Sequence, residues 1–83
     1  MGTKLFVGSL PWSVNDDTLK AAFEAHGKVV SAKVITDRQS GRSKGYGFVE
    51  MAEESDANNA IQALNGKDLS GRNIVVSEAK SKG

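Results

Sequence analysis

Aromatic residues and lysines alternate along two short stretches of the 83-residue chain. KGYGFVEM carries Lys44, Tyr46 and Phe48 at every second position, and KLFVG carries Lys4 and Phe6 in the same way. Successive side chains of a β-strand point to opposite faces of a sheet, so residues two apart share a face. Exposed aromatic rings can stack on flat π-systems, and lysines can pair with anions. The two stretches therefore predict a surface that binds planar, anionic groups.

The same alternation indicates which face of these strands turns to the core. If Tyr46 and Phe48 pointed inward, Glu50 would be buried with them, and burying an unpaired charge is costly. Leu5 and Val7 hold the alternate positions of the first stretch. In the second stretch the alternate positions are wholly apolar, namely Gly45, Gly47, Val49 and Met51. We therefore expect the aromatic rings to face outward, while the glycines let a helix approach the strand closely.

A solvent-facing patch of three aromatics beside cations suits unstacked bases and their phosphates. A base stacked on an aromatic ring gains about 1–3 kcal/mol, and cations add a salt-sensitive phosphate term. Lys33, on the second predicted strand, is expected to join Lys4 and Lys44 there. The net charge is only +1, but residues 28–48 hold five Lys or Arg against one Asp, and residues 50–56 hold four acidic residues. The charge is therefore segregated along the chain.

The rest of the chain supplies the elements that must hold this face. Apolar residues at helical spacing predict helices over about 16–26 and from about Ser55 to Gly66, with Asn15 and Ser55 as N-caps. We predict strands over residues 4–9, 29–36, 44–51 and 73–79, a hairpin loop over 37–43 and a turn over 67–72. This order predicts an α+β fold, a ferredoxin-like βαββαβ sandwich in which a four-stranded antiparallel sheet carries two helices on one face.

Composition argues against an enzyme and against a metal or cofactor site. The chain has no cysteine and one histidine, His26, so it offers neither thiolate ligands nor a histidine cluster. The ferredoxin-like fold also hosts acylphosphatases, but fold alone does not carry function, and no acid–base pair is evident. No apolar run approaches the roughly 20 residues of a membrane span.

Two motifs in these elements resemble a known family. LFVGSL (5–10) and KGYGFVEM (44–51) resemble the paired hexamer and octamer motifs of the RNA recognition motif. The resemblance covers roughly residues 3–80, which we predict to be one domain, with 81–83 as a short flexible tail. It is greatest to the single RNA recognition motif of small glycine-rich, cold-inducible RNA-binding proteins and their bacterial relatives.

The resemblance implies roles for the outward residues of the sheet. Phe6 would stack one base and Phe48 the neighbouring base, while Tyr46 would pack against the sugars between them. Lys44 would meet a phosphate. The last strand and its continuation would read bases largely through backbone groups, at Val75, Ser77 and the stretch from Ala79 and Lys80 to Lys82.

Other positions keep two interpretations each. Arg38 and Arg42, in the loop between the second and third strands, either grip the nucleic-acid backbone or keep the loop soluble. Lys80 and Lys82 either contact phosphates or belong to a disordered tail. For Trp12 we favour a partly buried plug of the first loop, with RNA contact as the alternative.

Two positions depart from the family pattern. The hexamer usually has Asn where this chain has Ser9, and the octamer usually ends in an aromatic where this chain has Met51. By parity both lie away from the stacking face, so we expect consequences for packing rather than for binding.

The sequence thus predicts a non-catalytic module that binds single-stranded RNA, with single-stranded DNA left open because stacking is indifferent to the sugar. The alternative is a protein-interaction module on the same fold. Peptide-binding members of the family tend to lose the sheet aromatics and to carry Arg-x-Phe after the second helix, unlike GKDLSGR here. We expect a monomer in a bacterial-type cytoplasm, without a membrane or cofactor; a nuclear or organellar location stays open.

Overall fold

The computed structural model describes residues 3–41, 43–69 and 71–79. Within them, eight short elements follow one another along the chain. They are β1 (Lys4–Gly8), α1 (Asp16–Glu24), β2 (Val29–Thr36), β3 (Ser43–Met51), α2 (Glu54–Leu64), β4 (Asp68–Leu69), β5 (Arg72–Asn73) and β6 (Val75–Glu78). Neither helix has the length and apolarity that crossing a membrane would require.

The main sheet is antiparallel throughout, with the strand order β2-β3-β1-β6. Helix α1 packs mainly on β2, and α2 packs mainly on β6. The predicted α+β, ferredoxin-like sandwich is therefore confirmed. Its core lies between the helices and one face of the sheet, and it consists of Leu5, Val7, Leu10, Val14, Leu19, Phe23, Val29, Val34, Val49, Met51, Ala57, Ala60, Ile74 and Val76.

The predicted inward parity of the two central strands is confirmed. Leu5, Val7 and Val49 have no exposed surface, and Met51 is 1% exposed. The aromatic positions of the same strands remain partly exposed. The sheet therefore has one dry face beneath the helices and one face that meets solvent.

Two glycines of β3 serve different purposes. A Cβ at Gly47 would lie 2.5 Å from the carbonyl oxygen of Lys33 and 3.3 Å from Cδ2 of Leu19, so the neighbouring strand and the helix both approach it closely. A Cβ at Gly45 would make only an ordinary contact of 3.8 Å with the carbonyl oxygen of Leu10, but Gly45 has a φ of +88°, which glycine adopts without strain. The prediction of close approach therefore holds for Gly47, whereas Gly45 meets a backbone requirement.

Three side chains join the helices to the chain around them. Oδ1 of Asn15 accepts the backbone N–H of Thr18 at 2.8 Å, which confirms the predicted N-cap of α1. Oδ1 of Asp16 accepts the N–H of Val34 in β2 at 2.7 Å. Asn65, just after α2, accepts the N–H of Val76 in β6 through Oδ1 at 3.0 Å. The last two bonds fix each helix against the strand that it covers.

The second half of the chain differs from the prediction in three places. Helix α2 begins at Glu54 with extended Glu53 as its N-cap, so the prediction of Ser55 as the cap is wrong. Most of the predicted turn, 67–72, belongs to the β4–β5 hairpin, which ends at Asn73 and whose tip includes Gly71 at φ +93°. The last strand begins at Val75 rather than at residue 73, and Asn73 pairs with Asp68 of β4 instead of entering the main sheet.

Candidate nucleic-acid interface

The outward face of the sheet brings the predicted site residues into rows that cross the strands. Phe6 is registered with Phe48 on one side and with Ser77 on the other, and Phe48 is registered with Lys33. Registered partners in an antiparallel sheet share a face. The register thus places Lys33, Phe48, Phe6 and Ser77 in a single row.

A second row lies next to the first, toward the C-terminal end of β1. Gly8 is registered with Tyr46 in β3 and with Val75 in β6. Val75 is 47% exposed, whereas the next residue, Val76, is 2% exposed. This contrast shows that β6 continues the outward surface beside the two central strands.

The three aromatic rings form a cluster, which we call the ring patch (Phe6, Tyr46 and Phe48). The ring centroids of Phe6 and Tyr46 lie 5.9 Å apart with 29° between the planes. Phe48 meets Phe6 at 5.8 Å and Tyr46 at 6.3 Å, edge to face in both cases. Such pairs contribute about 0.5–1.5 kcal/mol beyond their burial. The rings therefore hold one another in place while a part of each stays open to a ligand.

Because Gly8 has no side chain, the ring of Phe6 can lie close to its backbone. A Cβ at Gly8 would lie 2.9 Å from Cε2 and 3.3 Å from Cζ of Phe6. Gly8 is itself buried although it lies on the outward face. The ring of Phe6 therefore leans over the backbone of Gly8, a role for this glycine that the sequence analysis did not identify.

The charges around the ring patch have both signs. Nζ of Lys4 lies 5.4 Å from the centroid of the Phe48 ring, within the range of a cation–π interaction. Lys33 is exposed at the end of the aromatic row. Exposed Glu50 is registered opposite Lys4, but the two side chains form no ion pair within the described residues. The ring patch therefore has two lysines at its margins and one carboxylate beside them.

The loop after β2 is held by its first residue. Oδ1 of Asp37 accepts the N–H of Gln39 at 2.7 Å, and the carbonyl oxygen of Asp37 accepts the N–H of Gly41 at 2.8 Å. These bonds are typical of turns that begin with Asp. The side chain of Arg38 is exposed on this loop. Arg42 lies outside the described residues, so its two interpretations remain as predictions.

The continuation of β6 is tied to the first strand. Ser77 is exposed and Ala79 is half-buried. The N–H of Ala79 donates to the carbonyl oxygen of Lys4 at 2.9 Å, so this amide is already used within the sheet. The backbone N–H of Ala79 is therefore not free to bind a base. Lys80 and Lys82 lie outside the described residues.

The prediction that Trp12 is a partly buried plug is wrong, because its side chain is 82% exposed. The neighbouring residues Leu10, Pro11 and Val14 are buried instead and fill the space beneath the turn. Trp12 lines an open cleft together with Lys44 and Arg72. The sequence analysis did not single out Arg72, since no periodicity links a hairpin residue to the first loop.

The two departures from the family pattern have different outcomes. Met51 is 1% exposed in the core, so it affects packing as expected. The inward parity expected for Ser9 is wrong, because β1 ends at Gly8 and Ser9 is exposed. Its φ of +58° is unusual for a residue other than glycine, whereas Asn adopts this region more readily.

Within the described residues, no group of His, Asp or Glu side chains is placed to hold a metal ion. The arrangement instead offers stacking surfaces and exposed cations. A family model described as the RNA recognition motif matches residues 5–75. The chain belongs to the RNA recognition motif family.

Relatives of this RNA recognition motif are found among both curated sequences and solved structures. It is 52% identical over 79 residues to the mitochondrial Glycine-rich RNA-binding protein 4 of Arabidopsis thaliana, covering 95% of this chain and 58% of that protein. It is similar to the crystal structure of RNA Binding Protein PG1, with 42% identity, a TM-score of 0.91 and 98% of each chain covered.

A third comparison involves a structure solved with RNA. The protein in the Sxl-lethal protein/RNA complex is 35% identical, with a TM-score of 0.92, and the match covers 100% of this chain and 50% of that one. The chain spans about half the length of the curated relatives it matches.

Proposed function

We propose that this chain binds single-stranded RNA on the outward face of its sheet and catalyses no reaction. The observation that carries the proposal is the ring patch, in which three partly exposed aromatic rings lie 5.8–6.3 Å apart beside exposed lysines. Membership of the RNA recognition motif family and the RNA-binding names of its relatives support RNA as the ligand.

Each ring has its own role in the proposed complex. Phe6 and Phe48 lie directly opposite each other on adjacent strands, which supports the roles that the family resemblance implies, the stacking of two neighbouring bases. Tyr46 lies one row away and packs against the sugars between those bases. Lys33, registered with Phe48, and Lys4, whose Nζ lies 5.4 Å from the centroid of the Phe48 ring, approach the phosphates. Lys44 meets a phosphate farther along, where β3 begins.

The expected affinity follows from the number of stacked bases. Two or three stacked bases contribute about 1–3 kcal/mol each, and ordering a flexible strand offsets part of this gain. With phosphate contacts added, a dissociation constant on the order of micromolar results. Because stacking accepts every base, the sequence preference is modest.

Single strands are favoured over duplexes because the ring patch needs unstacked bases. Stacking is indifferent to the sugar, so single-stranded DNA is a competing ligand whose affinity must be compared directly. We further propose that the domain acts as a monomer, which a sedimentation measurement would test. One relative is named as mitochondrial, so the bacterial-type cytoplasmic location remains a prediction alongside an organellar one.

The test is a proton–nitrogen NMR titration with a six-nucleotide RNA of mixed sequence and with the matching DNA. We expect amide shifts centred on Tyr46 and on the first row of the sheet, which is Lys33, Phe48, Phe6 and Ser77. Comparing the RNA and DNA dissociation constants shows which sugar the protein prefers. Shifts confined to the helical side would contradict the proposal. If the sheet amides do not shift with RNA or DNA but do shift with a peptide partner, the protein-interaction alternative is supported instead.

Variants make this test specific to stacking. Phe48→Ala should weaken RNA binding by about 1–3 kcal/mol without loss of the fold, whereas Phe48→Tyr keeps a ring and should bind nearly as well. Lys33→Gln should reduce the salt dependence of binding, whereas Lys20→Gln on α1 should leave it unchanged. Unchanged RNA affinity in both Phe6→Ala and Phe48→Ala would refute the proposal.

A further inference from the structure

Trp12 is the most exposed large apolar side chain of the described residues. It is 82% exposed, compared with 58% for Val30 and 47% for Val75. It is also the single tryptophan of the chain. A ligand that covers the exposed indole would gain the free energy of burying it. The residues around Trp12 indicate the chemical character of such a ligand.

The turn that carries Trp12 is anchored on both sides of it. The N–H of Leu10 donates to the carbonyl oxygen of Gly45 in β3 at 2.8 Å, and the N–H of Val14 donates to the carbonyl oxygen of Pro11 at 3.1 Å. Leu10 and Val14 are 2% and 3% exposed and fix the turn to the core. The backbone around Trp12 is thus held in place, so little further ordering is needed when a ligand covers the ring.

On one side of Trp12 lies an open cleft of about 440 Å³. Its lining consists of Ser9, Leu10, Trp12, Lys44, Gly45 and Arg72. This volume lies within the range of about 300–1,000 Å³ that is typical of small-ligand sites. Within the described residues neither Lys44 nor Arg72 forms an ion pair, so both charges are available to an anion.

The second cleft beside Trp12 has the opposite character. Its volume is about 430 Å³, and its lining includes Asp16 and Asp17 at the start of α1. Two carboxylates repel a phosphate, whereas Lys44 and Arg72 attract one. The charge around Trp12 therefore favours an anionic ligand in the first cleft only.

The first cleft lies next to the ring patch along β1 and β3. Ser9 follows Gly8 in the chain, and Gly45 precedes Tyr46, while Gly8 and Tyr46 are registered partners in the sheet. The turn after β1, the start of β3 and the β4–β5 hairpin before β6 all lie at this end of the sheet. A strand of RNA that crosses the ring patch and continues past Tyr46 therefore enters this cleft.

We propose that Trp12, Lys44 and Arg72 form an additional nucleotide subsite, in which the indole stacks on one more base of the same RNA strand and the two cations contact its phosphates. The proposal rests on the proposed function, since the strand must first lie on the sheet. It extends the interface beyond the ring patch and assigns a binding role to a turn and a hairpin of this chain.

Because Trp12 is the only tryptophan, its fluorescence reports on this subsite alone. We expect a six-nucleotide RNA to quench or shift its emission, and a dinucleotide that fills only the ring patch to leave it nearly unchanged. Trp12→Ala should weaken binding of the six-nucleotide RNA at least about fivefold and leave dinucleotide binding unchanged. Trp12→Phe keeps a stacking ring and should recover part of the loss.

The cations are tested separately. Arg72→Gln should lower the slope of log affinity against log salt by about 1 for the longer RNA only. Lys20→Gln, on the opposite side of the protein, is the matched charge control. Because Trp12 and Arg72 are exposed, both variants should keep the wild-type melting temperature.

The outcomes separate this proposal from the one on which it rests. If RNA shifts the sheet amides and Phe48→Ala weakens binding, but Trp12 emission and Trp12→Ala affinity do not respond, the additional subsite is refuted and the sheet function stands. Equal losses for short and long RNA in Trp12→Ala would also refute a separate subsite. If RNA causes no shift of the sheet amides, the proposed function itself is refuted, and the additional subsite with it.

Discussion

Replacing Gly8 by alanine adds one methyl group against the ring of Phe6 without removing any aromatic side chain. The new Cβ would lie 2.9 Å from Cε2 of Phe6, whereas carbon atoms in good contact are about 3.5–4.0 Å apart. The ring must therefore shift by about 0.5 Å or more. Gly8 is not among the residues with positive φ, so its backbone accepts alanine without strain.

The effects on folding and on binding should differ. Alanine is favoured over glycine within a strand by roughly 0.5–1 kcal/mol. Disturbing the Phe6–Tyr46 contact, now at 5.9 Å, costs a part of the about 0.5–1.5 kcal/mol that such a pair contributes. The free energy of unfolding should therefore change by less than about 1 kcal/mol. RNA binding should weaken by about 1 kcal/mol, a roughly fivefold rise in dissociation constant, because the stacking ring is displaced.

A double-mutant cycle measures this effect, with RNA affinity from fluorescence anisotropy and stability from urea unfolding. Gly8→Ala should weaken binding in the wild-type background and have no further effect when Phe6 is already alanine. An equal loss in both backgrounds would show that the methyl group acts on the RNA or on another residue. Unchanged affinity in the single variant would refute the assignment of Gly8 as the support for the Phe6 ring.

Three further variants test other features of the structure. Gly47→Ala should lower the free energy of unfolding by about 3 kcal/mol or more, because the new Cβ would lie 2.5 Å from the carbonyl oxygen of Lys33. A loss below about 1 kcal/mol in urea unfolding would contradict this. Ser9→Asn should raise stability by about 0.5–1 kcal/mol, because Asn adopts a positive φ with less strain than Ser. An unchanged or lower melting temperature would contradict this explanation. Glu50→Gln should tighten RNA binding about twofold, because it removes the Coulomb repulsion between the Glu50 carboxylate and a phosphate taken to lie about 8 Å away in water. The gain should vanish in high salt. Glu24→Gln on α1 is the control.

The outward ring patch could be predicted from the sequence because a strand has a strict period of two. Burying Glu50 with Tyr46 and Phe48 would have been costly, so only one orientation of β3 was acceptable. The same rule placed Leu5 and Val7 in the core. The start of α2 was missed because extended Glu53 caps the helix without a side-chain hydrogen bond, which leaves no recognisable capping residue.

Local patterns failed where contacts join distant parts of the chain. Gly47 was expected to let a helix approach, which Leu19 of α1 does, but the sequence did not show that the backbone of the adjacent strand lies closer still. Trp12 was predicted to be a partly buried plug of the first loop, since tryptophan is highly buried on average. The space beneath its turn is instead filled by Leu10 and Val14. Which side chain fills a space depends on the packed backbone, and no short segment specifies that.

The sequence by itself determined the alternation of the strands, the order of the main elements and the three rings that share the outward face. These properties follow from periodicity, which depends only on neighbouring residues. Only the tertiary structure decided that Phe6 rests over Gly8 and that Lys44 and Arg72 share a cleft with Trp12. Gly8 is only two residues from Phe6, but the position of the Phe6 ring also depends on its contacts with Tyr46 and Phe48 of the paired strand. The cleft joins residues far apart in the chain, and it arises when the pairing of β1 with β3 and β6 gathers separate loops at one end of the sheet.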